Sequence, residues 1–236
     1  MNVSEGPGTQ VNGRQVNVSD TTGPVIGVLA LQGAFSAHER ALGQLGAATT
    51  QVRTPADLAR CTALVMPGGE SSTMSRLLHT AGLYEPLAAR IAAGMPVFGT
   101  CAGMILLAAE VADGRSDQAS FAAIDIGVRR NGYGRQIDSF EADIEFCVPN
   151  AVASVTPFHA VFIRAPKVER AGRGVSVLAS LDDTPVLVQQ GAVLVASFHP
   201  ELTDDTRLHE HFLDIVNGAH PGDDHSTPAS TSAPPT

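Results

Sequence analysis

Residues Met95–Ala109 read MPVFGTCAGMILLAA. Pro96–Gly99 is short and apolar, as a buried strand would be. The apolar run from Ala102 to Ala112 predicts a helix. Between them, Gly99-Thr100-Cys101-Ala102-Gly103 matches the G-x-nucleophile-x-G pattern of a nucleophile elbow, with Cys in the Ser position. Such a turn is too tight for Cβ atoms at its flanks, which accounts for both glycines. The nucleophile is lifted to the top of the sheet and sits at a helix N-terminus, where free N–H groups and the macrodipole favour an anion. The N–H of the following residue, Ala102, is then a ready oxyanion donor. A buried structural cysteine is the alternative, and the agreement of strand, glycines and helix in register argues against it.

A cysteine that attacks an amide needs a base and acid, normally His. Of eight histidines, His199 stands out. It follows the apolar segment Val193–Phe198 and precedes Pro200-Glu201. Strand residues two apart face the same side, so His199 and Glu201 can project together. The order Cys…His…Glu differs from the nucleophile…acid…His order of α/β-hydrolases. The other histidines have plainer readings: His38 and His79 on helices, His159 in a loop, and His220 and His225 near or in the tail. His209 and His211 lie two apart on a helix and face different directions, which is poor metal-ligand geometry.

Working outward, Val25–Leu31 (VIGVLAL) and Ala63–Met66 (ALVM) are continuous apolar runs, as expected of strands buried on both faces. Helical segments are read at Phe35–Leu45, Ser72–Thr80 and Tyr84–Ala93. This β-α-β-α order implies a parallel sheet flanked by helices. The second half is richer in strands, at Ala142–Val148, Val161–Ile163, Val175–Leu178, Val186–Gln189 and Val193–Phe198. A last helix is expected at Asp205–Val216. The expected architecture is therefore α/β: a single three-layer domain with a mixed, mostly parallel sheet. It spans residues 24–218, with a disordered N-terminal extension at 1–23 and a disordered C-terminal tail at 219–236.

Composition narrows the function classes. The net charge of -9 argues against a nucleic-acid partner, because phosphates demand a basic patch. No stretch reaches the length of a membrane span, and the N-terminus lacks the apolar core of a signal peptide. The three cysteines, Cys61, Cys101 and Cys147, are odd in number and sparse, which suits a reducing cytoplasm rather than a disulfide framework. No pair has zinc or redox spacing, so no metal and no cofactor are expected.

Pro67-Gly68-Gly69-Glu70-Ser71 follows the strand ending at Met66 and opens a helix. Two glycines let backbone approach a ligand, and N–H groups at the helix start can face an oxyanion or carboxylate. An ordinary turn with Ser71 or Ser72 as N-cap is equally consistent with the residues alone. It is no phosphate-binding P-loop, since no G-K-[ST] follows.

Taken together, PGGES, GTCAG and SFHPE resemble class I glutamine amidotransferases in order and spacing. The nearer resemblance is to the glutaminase subunits of pyridoxal 5′-phosphate synthases. Further segments carry it: LALQGAFSAHE (Leu29–Glu39), RNGYGRQIDSFEA (Arg130–Ala142), FIRAP (Phe162–Pro166) and SFHPELTDD (Ser197–Asp205). It extends over roughly Val25–Val216. By this resemblance, Cys101, His199 and Glu201 match a catalytic triad. Gly69, Glu70, Ser71, Arg130, Ile163 and Arg164 match glutamine-contacting positions, and Gly69 with Ala102 the oxyanion donors. Gln32 falls near the expected partner interface. The chain departs from the family at Gly132 and Tyr133, where a small residue and Phe are usual. The implied partner is a separate pyridoxal 5′-phosphate synthase subunit, and the implied substrate is L-glutamine. Three other readings stand beside it: the glutaminase component of another pathway, a hydrolase of related fold such as a γ-glutamyl or cysteine peptidase, and a non-enzymatic partner-binding module.

Overall fold

The computed structural model describes residues 23–114, 119–132, 139–146 and 156–219. The chain opens with β1 (Val25–Leu29), α1 (Phe35–Gln44), β2 (Ala48–Val52), α2 (Pro55–Ala59) and β3 (Ala63–Met66). It continues through α3 (Ser71–Thr80), α4 (Tyr84–Ala92), β4 (Val97–Thr100) and α5 (Ala102–Leu107). Then come β5 (Ala108–Val111), β6 (Ile124–Arg129), β7 (Ser139–Ile144), β8 (Phe158–Ile163) and β9 (Lys167–Ala171). The last elements are β10 (Ser176–Leu181), β11 (Thr184–Gln190), β12 (Val193–Ala196), a 3₁₀ turn (Pro200–Leu202) and α6 (Arg207–Ala219).

Seven strands form the main sheet in the order β10-β11-β12-β4-β3-β1-β2. The run β12-β4-β3-β1-β2 is parallel, and β10 and β11 add antiparallel pairings at one side. Continuous apolar strands follow from burial on both faces. In β3, Leu64 and Met66 face one core layer while Ala63 and Val65 face the other. The first layer takes Met74 and Leu78 of α3, Leu87 of α4 and Leu106 of α5. The second takes Leu42 of α1 and Leu208, Phe212 and Val216 of α6, with Phe158 and Phe162 of β8. The three-layer, mostly parallel α/β reading is what the structure has.

Two smaller sheets flank this core, β5-β6-β9 and the hairpin β7-β8. Three readings change here. The helix expected over Ala102–Ala112 stops at Leu107, because segment 120–123 takes up its last carbonyls. Phe121 N–H donates to Leu106 O at 2.7 Å and Ala123 N–H to Leu107 O at 2.8 Å, and the chain leaves as β5, parallel to β6. His159 lies on β8, paired with Asp143 of β7, rather than in a loop. Finally, β2, α2, β6 and β9 were not anticipated. The start of α2 did carry a signal: Thr54 and Asp57 form a reciprocal capping box around Pro55.

Candidate functional site

Strands β12, β4 and β3 are neighbours, and their registers align Ala196 with Thr100 and Met66 with Gly99. Their C-terminal ends therefore finish level with one another. The three motifs that follow them, PGGES, CAG and SFHPE, must meet at that edge, where ligands bind in open α/β sheets.

Cys101 occupies the elbow. Its backbone has φ 49° and ψ -102°, a strained conformation for a residue with a Cβ. The N–H of Cys101 donates to Ala196 O at 2.8 Å, which ties the elbow to β12. The flanking glycines are required by contact. A Cβ on Gly103 would stand 2.2 Å from Met66 O, and one on Gly99 would stand 2.6 Å from Leu107 Cδ1. The thiol lies 3.8 Å from Ile163 O. Because α5 has only six residues, its macrodipole is a smaller aid to an anion than the longer helix would have been.

His199 reaches the same spot from β12, with its N–H bonded to Val161 O of β8 at 2.9 Å. Its Nδ1 pairs with Glu201 Oε1 at 2.8 Å, which leaves Nε2 for the thiol. The pairing runs through the 3₁₀ turn Pro200–Leu202, not the extended strand end expected from sequence, because β12 stops at Ala196. Glu201 is buried. Burial alone would push the His199 pKa down, but hydrogen bonds to Cys101 and Glu201 outweigh it and lift the value to about 10. Burial likewise pushes the Glu201 carboxyl up, and the bond from His199 more than offsets this, so its net shift is downward. A Cβ on Gly68 would lie 2.3 Å from His199 Cε1, so the first glycine of PGGES is the space in which the imidazole sits.

Glu70, not Ser71 or Ser72, caps α3. Its Oε1 accepts from Ser72 N–H at 3.0 Å and its Oε2 from Thr73 N–H at 2.7 Å. Burial opposes ionisation of this carboxyl, but these bonds prevail and bring its pKa down to about 2. Arg130 joins the loop, with Nη2 3.3 Å from Glu70 Oε1 and Nη1 donating to Ser72 Oγ at 3.1 Å.

One pocket gathers Gly69, Glu70, Ser71, Cys101, Arg130, Ile163, Arg164 and His199. Ile105 and Asn131 also line it, and sequence reasoning did not name them. Ala102 is fully buried at the first position of α5 and is not part of the lining. Glu201 stands behind His199. Gln32 is also outside the lining; its side chain lies over Gly69, 3.3 Å from the position a Cβ would take there. Two rim residues, Asn131 and Arg164, adopt φ 47°. The departure at Gly132 has a local reason, since a Cβ there would fall 2.2 Å from Lys167 Cβ. Tyr133, Cys147, His220 and His225 lie outside the described residues. Cys61 is buried and unpaired, away from this setting. Among the described residues no group of His, Cys, Asp and Glu could hold a metal ion, and no helix is long and apolar enough to cross a membrane.

The arrangement can bind a small polar molecule beside a thiol, pass a proton between thiol and imidazole, and hold the imidazole through a buried carboxylate. The chain as a whole is similar to known proteins. A solved structure described as a glutamine amidotransferase matches with TM-score 0.74 and 46% identity, covering 81% of this chain and 98% of that one. A protein from Thermoplasma acidophilum described as a GMP synthase component, at 15% identity and TM-score 0.59 over 83% of this chain and 95% of that one, shares the fold alone. Architecture and likeness together define the class, a glutamine amidotransferase-type α/β domain. The chain belongs to the SNO glutamine amidotransferase family, whose model matches residues 28–217. It is 53% identical over 201 residues to the pyridoxal 5′-phosphate synthase subunit PdxT of Frankia alni, covering 85% of this chain and 99% of that protein. It is 55% identical over 203 residues to PdxT of Salinispora tropica, covering 84% and 99%.

Proposed function

We propose that this chain is the glutaminase subunit of a pyridoxal 5′-phosphate synthase, releasing ammonia from L-glutamine for a separate synthase subunit. One observation carries the chemistry: Cys101, on its strained elbow, shares a pocket with His199, whose ring is held at 2.8 Å by buried Glu201. Likeness to PdxT proteins over almost their full length supports the pathway.

In this reading the Cys101 thiolate attacks the side-chain carboxamide carbon of glutamine. The N–H groups of Gly69 and Ala102 receive the oxyanion; losing one such donor costs on the order of 10²–10³ in rate. His199 gives its proton to the leaving ammonia, and the γ-glutamyl thioester remains on Cys101. His199 then takes a proton from water, the resulting hydroxide attacks the thioester, and glutamate leaves. Glu201 stabilises the charged imidazole throughout. Glu70 orders the loop by capping α3, while Ser71, Arg130, Ile163 and Arg164 hold the amino-acid end of the substrate. Gln32, over Gly69, lies where a docked synthase would act on the oxyanion loop. A reducing cytoplasm suits the unpaired Cys61 and Cys101.

The test is glutamate release from glutamine by the purified chain, alone and with a pyridoxal 5′-phosphate synthase subunit, with Cys101→Ala as control. Release that needs Cys101 and rises with the partner supports the reading. No release in either mixture, with partner binding demonstrated, overturns it.

A further inference from the structure

Behind the pocket lies a line of polar groups that the proposed chemistry does not use. His38 of α1 and His209 of α6 are completely buried, on the face of the sheet away from the thiol's helix. His38 Nδ1 is 2.9 Å from His209 Nε2. His38 Nε2 is 3.3 Å from Glu201 Oε2 and 3.4 Å from Thr100 Oγ1. Both rings pack edge-on to Phe98, with centroids at 6.1 and 5.8 Å, so neither can swing away. Oε2 of Glu201 otherwise meets no hydrogen-bond geometry among the described residues. A buried carboxylate oxygen left in that state is costly.

The direction of the line can be worked out. Burial holds both imidazoles neutral at pH 7, with His38 lowered to about 4 and His209 to about 3. Each then carries one N–H. Suppose His38 donates from Nδ1. His209 must then carry its proton on Nδ1, which has no partner among the described residues, and His38 turns a lone pair toward the Glu201 carboxylate. The reverse assignment avoids both costs. His209 Nε2–H donates to His38 Nδ1, and His38 Nε2–H faces Oε2. Only His209 Nδ1, an acceptor, stays unpaired, and an orphan acceptor is the lesser cost.

We propose that His38 is a positioning residue: His209 fixes its tautomer, and its Nε2–H faces the rear oxygen of Glu201, so that the front oxygen stays aimed at His199 Nδ1. The approach of 3.3 Å is long in the resting site and tightens in the substrate complex, as catalytic hydrogen bonds do. Glu201 then accepts from both sides, from His38 at Oε2 and from His199 at Oε1, and the His209–His38 bond polarises the rear donor. This inference rests on the glutaminase reading.

The experiment compares His38→Leu with His38→Gln, whose side-chain amide can again donate toward Glu201. Glutamate release is measured with the synthase subunit present. In parallel, the rate of Cys101 alkylation by iodoacetamide at pH 7 is read on its peptide by mass spectrometry. The expected result for His38→Leu is a kcat loss on the order of 10- to 100-fold, by analogy with groups that orient metal-ligating histidines, with KM little changed. Alkylation slows in parallel, and His38→Gln restores most of both. A folded His38→Leu with wild-type kcat and alkylation overturns the proposal, as does a folded His38→Gln that is equally impaired. Should His38→Leu fail to fold, His209→Phe against His209→Gln makes the same comparison. If wild type with synthase releases no glutamate, the glutaminase reading fails, and the alkylation rates alone still decide the role of His38.

Discussion

The pocket is built from two unlike regions. Its floor, Gly69, Cys101 and His199, stands on the ends of β3, β4 and β12. These strands are buried on both faces, and every residue of each is buried. Its rim, Arg130, Asn131, Ile163 and Arg164, comes from the ends of β6 and β8 in the small sheets. There buried and exposed positions are mixed along each strand, and exposed ion pairs cross between strands, Arg129 with Glu169, and Arg170 with Asp125 and Glu110. A close-packed floor can hold a strained nucleophile and a buried charge pair in one geometry. A rim with one solvated face can adjust around a substrate. In the proposed function the floor therefore carries the chemical step and the rim carries binding.

Removing the nucleophile tests this contrast most severely. Cys101→Ala is expected to lower glutamine hydrolysis by on the order of 10³ or more, with the melting temperature little changed. Steady-state kinetics and a thermal melt check it together. Next, Phe98→Ala opens a cavity under the floor, between α6 and the histidine pair. It should cost about 3–5 kcal/mol in a denaturant titration, since Phe98 is fully buried.

Acid provides a third probe, because the histidines at the front and rear of the floor shift in opposite directions. His38 falls from 6.5 to about 4 and His209 from 6.5 to about 3, so the unfolded chain binds protons that the folded chain refuses. Their contribution to stability is full above pH 6.5 and is lost as pH falls toward 4 and then 3. For His38 alone the loss is on the order of 3 kcal/mol. The lowered Glu201 acts in the same direction, its contribution being lost as pH falls below the ordinary carboxylate range. His199, raised to about 10, has the opposite sign: its contribution is full below 6.5 and is lost as pH rises through 10. Denaturant midpoints across this range should trace a maximum between the two limbs, and a flat acid limb would refute the neutral histidine pair.

The rim should give smaller effects. Arg130→Ala is expected to raise KM for glutamine by on the order of tenfold, with kcat less affected, because Arg130 lines the pocket and braces Glu70 and Ser72. A fall in kcat alone would move Arg130 into the floor's role. Smallest of all, Arg170→Ala removes two exposed pairs and should change stability by about 1 kcal/mol or less.

The same division explains what could be read before the structure. The floor was legible because each piece is contiguous: an apolar strand, a glycine-bearing turn and a reactive residue fall within a few positions at Met66–Ser71, Gly99–Gly103 and Ser197–Glu201. Strand ends in register then bring those pieces together, and a parallel sheet makes that outcome general. The rim was harder. Arg130 and Arg164 came only through resemblance, since β6 and β9 alternate irregularly and their pairing shows a register shift. The end of α5 was misplaced because no glycine or proline marks Leu107; segment 120–123 ends the helix from a distance. His38 and His209 escaped notice for a related reason. Each looks like a helix histidine in its own segment, and only the packing of α1 and α6, 171 residues apart at this contact, makes them partners.

The central claim is that Cys101 is the nucleophile for glutamine, and covalent capture tests it most directly. The chain, with its synthase subunit, would be treated with a diazoketone analogue of glutamine and mapped by peptide mass spectrometry, with and without excess glutamine. A single adduct on Cys101 that glutamine suppresses, and that His199→Ala slows, is the predicted result. An unmodified Cys101, or labelling that falls on Cys61 or ignores glutamine, would contradict the account.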